Sequence, residues 1–215
     1  MEKKKLSAVI STAFVVMGLA MAPSASVTAA PAAGKTAQAT PADARFKDIY
    51  TREWKWRVAE KLERDDDAPD ASRGFARVDA PAQEARRVYW AGILKQLDAI
   101  KPASLSPAER INFAVYRAQI ASLHDAQVFR EFEQPVNADS AFWTGVTYGA
   151  RRPLKTTQAY RNYLDQLEGI PAYFDEEIGN MRAGLARGFT PPKVTLAGRE
   201  STLLSVTEAK TPQDT

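Results

Sequence analysis

Large apolar side chains recur along most of this chain at the three- and four-residue spacing of an amphipathic α-helix. No long stretch alternates between apolar and polar residues, as a half-buried strand would. The pattern therefore predicts an all-α fold, a multi-helix array of about five or six helices. Helix-starting and helix-ending residues divide this array at Asp79 with Pro81, Ser106-Pro107-Ala108-Glu109, Thr156 or Thr157, and Gly188.

The first predicted helix runs from about Ala44 to Arg64. Its apolar stripe is Phe46, Ile49, Tyr50, Trp54, Val58 and Leu62, with Trp56 off the stripe. A second helix follows Asp79 and closes at Pro102. The third, from Pro107 to about Phe132, carries apolar residues around much of its circumference, which predicts a central helix buried on more than one side.

Pro171 is predicted to separate two further helices. The fourth starts at Thr156 or Thr157 and ends at a tight joint, Gly169-Ile170-Pro171, and the fifth runs from Pro171 to Arg187. A last helical segment is expected from Lys193 to about Glu208.

The N-terminus has the pattern of a secretory signal peptide at residues 1–29. Three lysines precede the apolar run Leu6–Ala22, and Val27-Thr28-Ala29 supplies small residues for cleavage after Ala29. The alternative is an uncleaved membrane anchor, for which the run is at the short limit. We therefore expect a periplasmic or secreted protein.

Three further segments follow the leader. Residues 30–44, rich in Ala, Pro and Thr, are a predicted flexible spacer. Residues 45–208 form the predicted helical domain, and residues 209–215 a disordered tail or truncation point. The domain is long enough to bury a core of its own.

Charge and composition exclude several functions. Removal of residues 1–29 leaves 26 basic and 25 acidic residues, a balance that gives no electrostatic basis for binding nucleic acid or, once the leader is removed, a membrane. The chain has no cysteine, hence no thiol nucleophile, and a single histidine, His124, expected at the surface or in a groove. These counts predict no metal site and no cofactor in this chain.

Candidate chemistry is confined to three places. A loop with Asp139, Ser140, Phe142 and Trp143 is a candidate wall of a substrate groove, the alternative being a loop pinned to the core by its aromatic rings. The pair Arg151-Arg152 is a candidate for binding a substrate carboxylate. The consecutive acids Asp175-Glu176-Glu177 are read as a solvated helix face in preference to an acid–base pair, since consecutive side chains splay around a helix. No catalytic residue is assigned.

Several ordered motifs resemble the bacterial family called domain of unknown function 885. They are Leu105-Ser106-Pro107-Ala108-Glu109-Arg110-Ile111-Asn112, Tyr116-Arg117-Ala118-Gln119, Asn137-Ala138-Asp139-Ser140-Ala141-Phe142-Trp143, Pro171-Ala172-Tyr173-Phe174-Asp175, and Asn180–Phe189 followed by Pro191-Pro192-Lys193-Val194. The resemblance covers about Phe46 to Thr215.

This resemblance implies an exported, largely helical protein of a metallopeptidase-like family, with a zinc-binding His-Glu-x-x-His helix in its C-terminal half. That motif has no counterpart here, so the predicted array is an incomplete, N-terminal part of a larger fold, and its expected partner is the missing catalytic half. The first hypothesis is therefore a non-catalytic portion that shapes the groove for a peptide substrate. A self-sufficient exported module that binds a peptide or a partner protein is the alternative, and a hydrolase using the acidic residues is a third.

Overall fold

The computed structural model describes residues 39–63, 74–146 and 154–211, all within the unit Ala37–Thr215. Within these ranges the chain forms six α-helices: α1 Pro41–Ala59, α2 Ala80–Asp98, α3 Pro107–Val128, α4 Thr157–Ala186, α5 Lys193–Leu196 and α6 Ser201–Thr207. Their only β pairing is an isolated bridge between Val136 and Ala141. The predicted all-α fold is confirmed; the predicted leader and the first part of the spacer lie outside the described residues.

The first helix starts earlier than predicted because its N-terminus is capped twice. The Thr40 hydroxyl accepts a hydrogen bond from the Asp43 amide, and the Asp43 carboxylate accepts one from the Thr40 amide. α1 therefore begins at Pro41, and the predicted spacer 30–44 is too long at its end. The other oxygen of Asp43 accepts from the Ser106 amide at 3.0 Å, which joins the starts of α1 and α3.

The apolar core lies among α1, α2 and α3. Its fully buried members are Phe46, Ile49, Trp90, Ile93, Leu97, Ile100, Leu105, Phe113 and Ile120. The predicted stripe of α1 is wrong at Trp54, which is exposed while Glu53 and Arg57 are buried. The two charges are tolerated because they bond to each other, and the Glu53 carboxylate also accepts from Trp90 and Tyr116.

The third helix is buried on one side only, which contradicts the expected central helix. Phe113 and Ile120 face the core, whereas Ile111 and Val115 are 69% and 66% exposed. α3 packs on α2 and α1, and no described element covers its opposite face. Ile111 and Val115 therefore form an exposed apolar strip on α3.

The predicted break at Pro171 is also wrong, because α4 runs unbroken from Thr157 to Ala186 with Pro171 inside it. The Phe75 ring stacks on Tyr173 at 4.5 Å between ring centroids and also lies beside Gly169. One aromatic ring thus holds the turns on both sides of the proline in one helix. Beyond α4, Gly188 adopts the predicted left-handed conformation at φ 75°.

The predicted helix over 193–208 is instead two short helices, α5 and α6. Gly198 lies between them at φ 79°, a left-handed conformation that ends a helix. None of the helices in the described part of the chain combines the length and apolar character that a membrane span requires.

Candidate functional site

Polar and aromatic side chains meet where the middle of α4 crosses the segment 74–79 and the start of α2. We call this group the acid–aromatic cluster. Its aromatic members are Phe75, Phe142, Tyr173 and Phe174, and its polar members are Arg77, Arg86, Glu176, Glu177 and Asn180.

Glu176 is a structural anchor. One carboxylate oxygen pairs with the Arg77 guanidinium, and the other accepts the backbone amides of Val78 and Asp79 at 2.6 and 3.2 Å. These amides immediately precede α2, so α4 supplies a negative charge at the N-terminus of another helix. The prediction of a solvated acidic face is therefore wrong at this position, because the segment 74–79 packs against it.

Glu177 is buried, with 6% of the residue exposed. Burial raises its pKa, and hydrogen bonds with Tyr173 and Asn180 oppose that change. Burial and the neighbouring Glu177 charge likewise raise the pKa of Tyr173. A buried carboxyl with a raised pKa is a common feature of acid–base sites, although buried structural pairs share it.

Arg86 and Asn180 complete the polar part of the cluster. The buried Arg86 guanidinium donates to the Gln83 side chain and to the Arg77 carbonyl, while burial lowers its pKa. Its Nε is buried and lacks a hydrogen-bond partner among the described residues. The Asn180 amide donates to the Val78 carbonyl at 2.7 Å. Glu176 and Asn180 therefore tie α4 to the segment 74–79, and Arg86 ties that segment to α2.

The predicted groove loop joins the cluster through its aromatic residues. The Phe142 ring meets Tyr173 and Phe174 edge to face, at 5.9 and 5.0 Å between centroids. The Trp143 indole donates to the Thr202 hydroxyl of α6 at 2.8 Å. Both aromatic side chains are half-buried, so the loop is pinned to α4 and α6 and still presents ring surface to solvent.

Asp139 and Ser140, the other predicted residues of the groove loop, do not share this position. Asp139 and Ser140 are exposed, and their amides both bond to the Asn137 side chain in a local turn. Arg151 and Arg152 lie outside the described residues. His124 is largely buried, with its ring nitrogen 3.5 Å from the Asp125 carboxylate.

The described residues do not fit a zinc site. Such a site needs several histidine or acidic ligands around one point, and the chain has one histidine. No group of three His, Cys, Asp or Glu that could hold a metal ion occurs in the ranges that the structure describes. His124 with Asp125 therefore has no further ligand there.

Sequence reasoning placed Glu177 on a solvated face, where the structure buries it, and missed Asn180 and Arg86. Tyr173, Glu177, Asn180 and Gly184 follow one another at spacings of four, three and four, which places them on one face of α4. That periodicity, applied to polar as well as apolar residues, would have indicated a buried polar stripe.

A separate cavity of about 350 Å³ lies between the start of α2 and the end of α3. Arg87 and Arg130 line it, but each already pairs with a carboxylate, Glu84 and Glu133 respectively. The Gln127 side chain also lines it. The cavity therefore presents two neutralised cations and carries little net charge.

Comparison with known proteins identifies a family. The family model described as Bacterial protein of unknown function (DUF885) matches residues 62–214, which is well over half of the chain. Neither the curated proteins nor the solved structures contain a match. The match spans α2 to α6 and the acid–aromatic cluster, and the chain therefore belongs to the DUF885 family of bacterial proteins.

Proposed function

We propose that this chain is a non-catalytic helical portion of an exported, zinc-dependent peptidase-like hydrolase, in which it shapes one wall of the substrate groove. Membership of the DUF885 family supports this assignment, because the resemblance to that family implies a metallopeptidase-like parent protein. The observation that carries it is that Glu176, the acid that a standalone hydrolase would use, is occupied by Arg77 and two backbone amides. A carboxylate whose two oxygens are both bonded in this way holds α4 against the segment 74–79 and is not available as an acid or base.

The wall itself is the pinned loop. Phe142 and Trp143 keep part of their ring surface accessible, and their positions are fixed by α4 and α6. Rigid aromatic surface binds apolar side chains of a peptide with little loss of conformational entropy. A peptide substrate is the ligand class that this surface fits.

The catalytic groups would come from a second polypeptide segment, since one histidine cannot supply a His-Glu-x-x-His motif. The exposed strip on α3, with Ile111 and Val115, supports a covering partner, because apolar strips on a helix are stabilised by burial. Zinc would be held by that partner and not by residues of this chain.

The experiment uses the chain from residue 30 onward, with a zinc-binding family polypeptide that carries the His-Glu-x-x-His helix. With this chain alone, we expect no peptide hydrolysis and no stoichiometric zinc binding. The chain alone should also bind a hydrophobic dye, and addition of the partner polypeptide should suppress that dye binding. In the reconstituted complex, Trp143→Ala should raise KM with little change in kcat, while Asp165→Ala, at an exposed position of α4 outside the loop, serves as the control.

Two results would overturn the proposal. Hydrolysis by this chain alone that disappears in Glu176→Gln would make it a standalone hydrolase. If the chain is a monomer that binds peptide tightly but binds neither the partner nor the dye, it is the self-sufficient module instead. Export is tested separately by mass spectrometry of the periplasmic protein, which should begin at Ala30.

A further inference from the structure

The first half of α4 exposes an apolar seam. Tyr160, Leu164, Leu167 and Pro171 follow one another at spacings of four, three and four residues. The first three are 57%, 54% and 41% exposed, and Pro171 is exposed as well. This is the alternating spacing by which helices pair in coiled coils, where such residues form the contact line. We call these four residues the α4 seam.

Opposite charges flank the α4 seam on one side. Arg161 and Glu168 each follow a seam residue directly, one near each end, and they are seven residues apart. Both are exposed, and neither forms an ion pair with any described residue. Positions beside a coiled-coil seam choose the partner and its direction through their charges.

We propose that the α4 seam binds the α4 seam of a second copy of this chain, with the two helices antiparallel about a twofold axis. In that register Leu164 packs beside Leu167 of the second copy, and Tyr160 beside its Pro171. Arg161 then lies across from the second copy's Glu168. The twofold axis repeats every contact, so the interface contains two such ion pairs.

Charge selects the antiparallel direction. A parallel pair would place residues from opposite flanks of the seam together, which brings Tyr163 to Glu168 and leaves Arg161 without an acid. The antiparallel pair matches each unpaired cation with an unpaired anion, and this self-complementarity points to a second copy and not to an unrelated helix.

The seam spans eleven residue steps, or about 16 Å of helix. An interface of this length is at the small end of specific contacts, so we expect a dimer that dissociates at about micromolar concentrations. Its ion pairs are solvent-exposed, and the association should therefore weaken as the salt concentration rises.

The test is a charge-reversal set measured by sedimentation equilibrium. In a dimer of Arg161→Glu, both ion pairs become pairs of acids, and in a dimer of Glu168→Arg both become pairs of cations. Each variant alone should therefore dimerise at least about tenfold more weakly than the unmodified chain. A mixture of the two variants restores both pairs with opposite charges and should form a heterodimer. The double variant Arg161→Glu/Glu168→Arg should form homodimers again.

Asp165→Lys is the matched control, since Asp165 is exposed on α4 but lies off the seam and its flank. It should leave the association constant unchanged, and circular dichroism checks that every variant is folded. A chain that stays monomeric at all concentrations, or reversals with no effect on dimerisation, would overturn the proposal. The proposal would also be overturned if the seam binds the catalytic partner. In that case Leu164→Glu would lose affinity for the partner, and the unmodified chain would not self-associate. None of these results decides the proposed function, whose test is the zinc and hydrolysis assay.

Discussion

Gly184 of α4 lies directly against the backbone of Glu133: a β carbon at position 184 would stand 2.9 Å from the Glu133 carbonyl oxygen and equally close to that of Phe189. The approach lets the end of α4 reach the turn after α3, where the Glu133 side chain is fully buried and pairs with Arg187. The absent side chain is thus what allows this crossing.

Gly184→Ala should lower the free energy of unfolding by about 1–3 kcal/mol, because backbone oxygens must move to admit the methyl group. The matched control is Gly179→Ala on the same helix, where nothing lies within 4 Å of the added atom. There the greater helix propensity of alanine should raise stability by about 0.5–1 kcal/mol. Urea unfolding of both variants measures the difference, and equal effects would contradict the close approach.

The buried Glu53 carboxylate should be among the most sensitive single groups in the core. Glu53→Ala removes the acceptor for Arg57, Trp90 and Tyr116 and leaves the Arg57 charge with little compensation, at a cost of about 3–5 kcal/mol. Tyr116→Phe removes one donor and should cost only about 0.5–1.5 kcal/mol. Thermal unfolding followed by circular dichroism would distinguish these two losses of stability. A small loss of stability in Glu53→Ala would show that the charges are solvated.

Glu177 predicts a pH dependence of defined sign. Burial raises its pKa in the folded state above the ordinary value of 4.5, so the folded protein holds this proton more tightly than the unfolded chain does. The stability it contributes is fully present below pH 4.5 and is lost as the pH rises through the folded pKa.

Glu177→Gln removes that ionisation while keeping an acceptor for Tyr173. The difference between its free energy of unfolding and that of the unmodified protein should therefore change in favour of the variant as the pH rises above about 4.5. Glu208→Gln, at an exposed position, is the control and should follow the unmodified protein. Parallel stability curves for Glu177→Gln and the unmodified chain from pH 4 to 8 would exclude the raised pKa.

The hydrogen bond from Trp143 to Thr202 predicts a measurable coupling between the groove loop and α6. In a double-mutant cycle with Trp143→Phe and Thr202→Val, the coupling energy should be about 0.5–1 kcal/mol. A coupling of zero would mean that the loop is held by Phe142 alone. Chemical denaturation of the four proteins provides the cycle.

Local signals predicted the helix starts well. Asp79 accepts from the Ala82 amide, Ser106 from Glu109 and Thr156 from Ala159, as their residue types indicate. These contacts span only three residues, so the sequence contains all the information they need. The same holds for Gly188, whose left-handed backbone ends α4.

Predictions that depended on distant partners failed. The break at Pro171 was wrong because Phe75, about a hundred residues away, supports both adjoining turns. Glu176 was read as solvated because no local pattern reveals that Arg77 and Val78 pack against it. Ile111 and Val115 were expected to be buried because composition alone does not indicate which helix faces have a neighbour.

The bonds that hold α4 also set the order in which the chain assembles. The hydrogen bond that the Asn180 amide donates to the Val78 carbonyl closes a loop of 102 residues, and the one that the Val78 amide donates to Glu176 closes a loop of 98. The ion pair between Arg187 and Glu133 closes a loop of only 54 residues, which carries a smaller entropy cost. The end of α4 should therefore dock first during folding, and its middle should close onto the segment 74–79 later.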